Sequence, residues 1–320
     1  MIDGERREGP VIILGNKTWR ERYLTRSVFG KLMKEGRSLL YFSNEKDKIF
    51  PKTVTELIEK GYDYKEIWIP AAVGTMCADP IRYIGTREET VLLAQELIYA
   101  RNYNGTANKT NANGTANEVN TECEALAACM MYMIDHFRPR ERTMNTLKGL
   151  LSMDSVSIEG VIRAGSGKQL KPDILMEGDN ISLFRSMYED VVSYVPFIGN
   201  SDGEIMDFSI MRERPIVCQI HIYAPMVAAG KMADAFLAIA LMGLVSPYGR
   251  SVDIVLEADG LMLYKRGMAR ILKESNSRGI NFFIHGETTG DIARAYSEEA
   301  VSLIKRNGEY ILEDAKVISS

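Results

Sequence analysis

The chain of 320 residues has no long hydrophobic run, no excess of basic charge and no metal-ligand spacing. No apolar stretch reaches the roughly 18 residues of a membrane span, and the start, Met1-Ile2-Asp3-Gly4-Glu5-Arg6, has no apolar signal-peptide core. A soluble, cytoplasmic protein is expected. The formal charge of −4 argues against a protein that coats nucleic acid by neutralising many phosphates, while local DNA contacts stay open. Only four cysteines occur, Cys77, Cys123, Cys129 and Cys218, with no C-x-x-C pair, so reduced structural thiols are expected. The three histidines, His136, His221 and His285, are scattered, with no H-x-x-x-H or Cys/His spacing, so no metal site is expected.

What is present is apolar patterning: 46% of residues are hydrophobic, enough for a large core. The first third reads strand, helix, strand, helix, strand: Val11 to Leu14, about Glu21 to Glu35, Ser38 to Phe42, Lys52 to Lys60, and Glu66 to Ile69. Short apolar strands alternating with helices predict a parallel sheet covered on both faces. A helix is expected from about Thr86 to Arg101. The pattern resumes with the Pro215–Ile220 strand, a helix from Met232 to Val245 and the strand Val252 to Leu256. A helix from Leu261 to Asn276, the strand Ile280 to Ile284, a helix over 291–306 and an edge strand Tyr310 to Leu312 complete it.

Between the two stretches the composition changes. Asn102-Tyr103-Asn104-Gly105-Thr106-Ala107-Asn108 has a near copy in Asn113-Gly114-Thr115-Ala116-Asn117, a solvated linker by composition. Helical patterns follow over Ala125–Phe137, Met144–Met153 and Ile181–Tyr194, with Met130-Met131-Tyr132-Met133 as core filler. The expected organisation is a discontinuous core over 1–101 and 200–320, an asparagine-rich loop over 102–120 and an all-α insertion over 121–199.

Two segments bear on phosphate chemistry. Val11–Leu14 runs into Gly15-Asn16-Lys17-Thr18, the strand, glycine and helix order of a phosphate-binding loop without its G-x-x-x-x-G-K-[ST] spacing. Such a loop needs glycines because several backbone N–H groups must curl toward the phosphates, with a lysine and a hydroxyl set for charge and magnesium. Read without gaps, Thr18, Arg20, Glu21 and Arg22 fall where the later glycines, lysine and hydroxyl belong. Lys17-Thr18 could mimic the lysine–hydroxyl pair in a shortened loop; the competing reading is a structural turn with surface charges. Val252–Leu256 leads to Glu257-Ala258-Asp259-Gly260, where a P-loop ATPase carries an acidic pair. Glu257 could serve magnesium, Ala258 cannot polarise water, and Asp259 replaces the lost acid only in a reshaped turn. Asp253, inside the strand, is a less plausible ligand. Ala164-Gly165-Ser166-Gly167-Lys168-Gln169 is a decoy with no preceding strand, expected as a loop of the helical insertion.

Several motifs in this order resemble the nucleotide-binding domain of conjugative coupling proteins, the TraG/TraD-like ATPases of type IV secretion. They are Thr53 through Gly61-Tyr62, Asp79-Pro80-Ile81-Arg82-Tyr83-Ile84, Phe208-Ser209, and Ile271 through the Ser277-Arg278-Gly279-Ile280 turn. The resemblance runs from about Pro10 to Gly290 and implies an α/β fold: a RecA-like, P-loop NTPase-type parallel sheet flanked by helices, with an all-α insertion. It also implies a membrane-anchored hexamer delivering DNA or protein to a secretion channel, with the family's membrane segment expected to be missing and an early end expected here. In that family a glutamine one strand beyond the acidic pair senses the γ-phosphate, and the matching position is His285. A neutral imidazole there could donate one hydrogen bond, whereas a lone histidine at a strand end is more often satisfied by its neighbours. The family's D-x-K-G-E segment corresponds to Ser43-Asn44-Glu45-Lys46-Asp47.

Four altered places leave no complete catalytic set. The expectation is an ATPase-deficient member of a conjugation or type IV secretion apparatus that works through protein contacts. Its partners would be other secretion proteins, an active coupling ATPase among them, in a homo- or hetero-oligomer recruited to the inner face of the membrane. The alternative is an unorthodox ATPase using Mg-ATP, with Lys17, Thr18, Glu257 and Asp259 forming a shortened site that drives DNA or protein transfer. A third is a truncated product with no selected function.

Overall fold

Every residue of Val11–Leu14 (β1) is buried, as a strand covered on both faces requires. Six strands join it: Ser38–Ser43 (β2), Asp63–Ile69 (β3), Ile216–Ile222 (β4), Val252–Glu257 (β5), Ile280–Gly286 (β6) and Glu309–Leu312 (β7). In this computed structural model all pairings are parallel, in the order β3-β4-β2-β5-β6-β1-β7. The structure describes residues 10–43, 50–69, 75–99, 116–166, 180–198, 203–222, 227–244, 248–257, 272, 275–295 and 298–313.

The helices are Lys17–Tyr23 (α1), Gly30–Glu35 (α2), Phe50–Glu59 (α3), Arg87–Tyr99 (α4), Ala116–His136 (α5) and Met144–Leu151 (α6). Ser155–Ser166 (α7), Asn180–Ile198 (α8), Val227–Gly243 (α9), Thr289–Ala295 (α10) and Glu298–Asn307 (α11) follow. The chain forms two compact units. One comprises Met1–Ile69, Met206–Asp234 and Gly243–Ser320 and holds the sheet; the other comprises Pro70–Ile205 and Ala235–Met242 and is helical.

In the sheet unit, α1 begins four residues before the expected start because Asn16 caps it, its side-chain oxygen accepting the Trp19 N–H at 3.0 Å. The segment continues through a π-helical stretch, Leu24–Phe29, into α2. That stretch re-phases the helix so that Leu24, Val28, Phe29 and Leu32 all join a core with Val11, Ile13, Leu39, Tyr41, Val217, Val255 and Phe283. Gly36 ends α2 at φ 64°, a left-handed conformation that suits glycine. The expected 291–306 helix is instead α10 and α11, and the expected Leu261–Asn276 helix lies almost wholly outside the described residues.

In the helical unit, α5 begins at Ala116, inside the segment expected to be linker. Its buried residues Cys123, Leu126, Cys129, Met130 and Met133 anchor a helix that then extends backward through polar residues at little cost. Gly165 lies at the end of α7, not in a loop, and a Cβ there would overlap the Ala128 carbonyl oxygen of α5. The expected Gly-Ser-Gly-Lys decoy therefore begins as a helix-packing glycine, while Gly167, Lys168 and Gln169 lie outside the described residues. Asp79 is fully buried; its Oδ1 accepts the Ile81 N–H at 3.0 Å and its Oδ2 accepts the Met144 N–H at 2.7 Å, tying the Pro80–Tyr83 turn to the start of α6. All four cysteines are free and buried. No helix among the described residues is long and apolar enough to cross a membrane.

Candidate functional site

Parallel strands put their C-terminal ends on one edge of a sheet, and here the candidates Gly15, His285 and the backbone of Glu257 lie at that edge. The strand of the Gly15 loop, β1, is separated from β5, the strand of Glu257, by one strand, β6. Register aligns Glu257 with His285 and His285 with Ile13, two residues before Gly15. Of the acidic segment, Ala258, Asp259 and the side chain of Glu257 lie outside the described residues.

The loop is short: only Gly15 and Asn16 stand between β1 and α1. Its N–H groups are taken up within the chain. Gly15 donates to the Gly286 carbonyl at 3.3 Å, Asn16 donates to Glu313 Oε2 at 2.6 Å, and Trp19 donates to the Asn16 side chain. The Asn16 amide nitrogen also donates to Glu313 Oε1, so the carboxylate is held by both groups of one residue. Glu313 follows β7, and its own N–H donates to the Leu14 carbonyl at 2.9 Å. Gly15 is required by this approach, since a Cβ there would come within 2.7 Å of Glu313 Cβ and 2.9 Å of a Trp19 ring carbon. An anion is the favoured partner for donors at a helix start, and the chain supplies its own. Lys17 and Thr18 are exposed at the first helical positions.

Arg20 turns inward instead of toward solvent. It is 2% exposed, and its Nη1 donates to the Gly15 carbonyl at 2.9 Å, bracing the loop. His285 is 4% exposed and stacks on Tyr41 with ring centroids 6.3 Å apart. Burial first, and the nearby Arg20 charge second, lower its pKa to about 3, so the ring is neutral. Neither ring nitrogen has a hydrogen-bond partner among the described residues, which do not include the side chain of Glu257 on the neighbouring strand.

A polar cluster on β3 and β4 escaped the sequence reading. Glu66 accepts from Trp68 Nε1 at 3.3 Å, its Oε1 lies 2.6 Å from the Tyr64 hydroxyl and 3.2 Å from His221 Nε2, and Trp68 stacks on His221 at 4.0 Å. Burial works against the Glu66 charge, but the bonds from Tyr64 and Trp68 and the His221 charge outweigh it and hold the carboxyl below its ordinary range. The alternation Tyr64, Glu66, Trp68 was the one available signal, since it puts three polar or aromatic side chains on one strand face. No group of three or more His, Cys, Asp and Glu stands together as a metal site among the described residues.

An all-parallel, seven-stranded sheet flanked by helices is a RecA-like, P-loop NTPase-type fold. No family model matches the sequence, and no curated protein matches it. Solved structures do. The bacterial conjugative coupling protein TrwBdeltaN70, trigonal form in complex with sulphate, is 10% identical over 96% of this chain and 70% of that one, with a TM-score of 0.62. Its unbound monoclinic form gives 11%, 95%, 68% and 0.64. The plasmid coupling protein TrwB in complex with the non-hydrolysable ATP analogue ADPNP gives 11%, 94%, 69% and 0.61. At these identities the likeness is one of fold.

Proposed function

We propose that this chain is a coupling-protein-like component of a conjugative DNA transfer or type IV secretion apparatus, deficient in ATP hydrolysis and acting through protein contacts. One observation carries the deficiency: the Gly15, Asn16 and Trp19 N–H groups are bonded within the chain, and the anion at the loop is the Glu313 carboxylate. A nucleotide phosphate would have to displace that carboxylate and would then meet a loop too short to wrap it. Ala258 removes the water-polarising acid as well. The coupling role is supported by the shared fold of the TrwB structures, and the division into a discontinuous core and a helical insertion belongs to the same reading. Its partners are secretion or conjugation proteins, with an active coupling ATPase first among them, at the inner face of the membrane.

The second reading, an ATPase with a shortened loop, is favoured by the register that aligns Glu257 with His285 beside the loop strand. Mixing purified chain with a purified TraG/TraD-like ATPase tests the first reading. Co-elution in a defined complex, with a turnover rate unchanged by Glu257→Gln in this chain, is expected. Magnesium-dependent turnover by this chain alone, lost in Glu257→Gln, would establish the second.

A further inference from the structure

The opposite edge of the sheet, where the strands begin, carries a cavity of about 390 Å³ lined by Glu35, Arg37, Arg212, Glu213, Arg250 and Ser251. Its size falls within the range of small-ligand pockets. The three arginines come from three separate places in the chain and meet because β4, β2 and β5 are neighbours. Arg212 ends the Phe208–Arg212 turn ahead of β4, Arg37 immediately precedes β2, and Arg250 stands two residues before β5.

These guanidinium groups are held firmly. Arg212 is 6% exposed and donates to four carbonyl oxygens: Arg250 at 2.9 Å, Gly279 at 3.2 Å, Leu244 at 2.9 Å and Arg278 at 2.6 Å. Arg250 Nη1 donates to the Gly36 carbonyl, and Arg37 Nη1 pairs with the buried Asp253 at 2.8 Å. Three glycines with positive φ pack against them: Gly36 (64°) on Arg250, and Gly249 (96°) and Gly279 (64°) on Arg212. A Cβ at Gly249 would stand 2.6 Å from the Arg212 carbonyl oxygen, so the turn admits only glycine.

The three guanidinium groups are unevenly paired with the carboxylates Glu35, Asp253 and Glu213. Arg37 has carboxylate partners in Asp253 and Glu35, but Arg212 and Arg250 have none among the described residues. Carbonyl oxygens satisfy donors without cancelling charge, so the buried Arg212 keeps its positive charge in the wall of the cavity. The Nε groups of Arg212 and Arg250 also lack acceptors among the described residues. Glu213, exposed at the rim, offsets part of this charge.

We infer that this cavity is an anion site that takes a phosphate group, held by Arg250 and Arg37 with the Ser251 hydroxyl and drawn in by the field of Arg212. Planar guanidinium forks match phosphate oxygens in pairs, which a lysine cluster would not do. The phosphate can belong to a free small molecule or to a nucleic-acid backbone, and the site is separate from the Gly15 loop at the other edge of the sheet.

Inorganic pyrophosphate and a single-stranded oligothymidylate, titrated into the full chain by calorimetry at low salt, test it. At least one of them is expected to bind, about tenfold more weakly in Arg250→Ala and about threefold more tightly in Glu213→Gln, with Lys17→Ala unchanged. Arg250-dependent binding of pyrophosphate alone identifies a free phosphate ligand; the same dependence with the oligonucleotide identifies a nucleic-acid backbone. The Glu213→Gln arm keeps the test valid if Arg250→Ala misfolds. Absence of binding by both probes at millimolar concentration overturns the inference, as does binding that ignores both cavity variants or is lost in Lys17→Ala.

Discussion

A neutral imidazole carries one N–H donor and one acceptor, and at His285 neither meets a partner among the described residues. Leaving buried polar groups unmatched costs roughly 1–3 kcal/mol, so His285→Leu is expected to hold stability or raise it by about 1 kcal/mol in urea unfolding. A loss above about 2 kcal/mol would show that the ring has a partner essential to the fold. Two buried carboxylates have the opposite protonation behaviour from His285: desolvation raises Asp79 and Asp253 from 3.8 to about 6, against the opposing backbone bonds at Asp79 and the Arg37 charge at Asp253. Because the folded pKa lies above the unfolded one, the folded state binds more protons between about pH 4 and pH 6. The stabilisation from each is complete below about pH 4 and lost as pH rises through about 6, on the order of a few kcal/mol. Asp253→Asn is expected to flatten the fall in unfolding free energy across that window. An unchanged slope would mean that Asp253 does not titrate there.

Elements differ in how far local sequence decides them. The strands β1, β2, β4, β5 and β6 are mostly apolar and are legible as such, because a strand buried on both faces favours apolar side chains. The start of α5 was hidden because its first residues are polar and its anchor, Cys123 onward, lies later in the helix. The loop expected at Gly165 is helix for a tertiary reason: the glycine is needed where α7 packs on α5. Gly165→Ala should therefore cost about 1–3 kcal/mol by overpacking, and a neutral result in thermal unfolding would contradict that close approach. The Glu313 contact was invisible to any local reading, since its partner Asn16 is 297 residues away. Glu313→Ala is expected to destabilise the edge by about 1 kcal/mol and to remove hydrogen-exchange protection at the Asn16 amide. Retained protection at Asn16 would mean that another group accepts that N–H.

At the scale of the molecule, the parallel sheet and the place of Gly15 and Glu257 at strand ends were legible from strand and helix alternation, whereas the strand order was not, because it is set by pairings between distant segments. The state of the C-terminal edge was not legible either, because filling the loop depends on β7 returning to pair beside β1. The arginine cavity at the other edge was equally hidden, its residues being distributed over 216 positions of the chain and joined only by the adjacency of three strands. The RecA-like fold thus carries, after β1, a short Gly15-Asn16 loop whose Asn16 is bonded to the Glu313 carboxylate. Titration of Mg-ATP into the purified chain by calorimetry, with Lys17→Ala as control, tests this most directly. No heat that depends on Lys17 is expected up to millimolar nucleotide; binding by the unaltered chain that Lys17→Ala abolishes would contradict a closed loop.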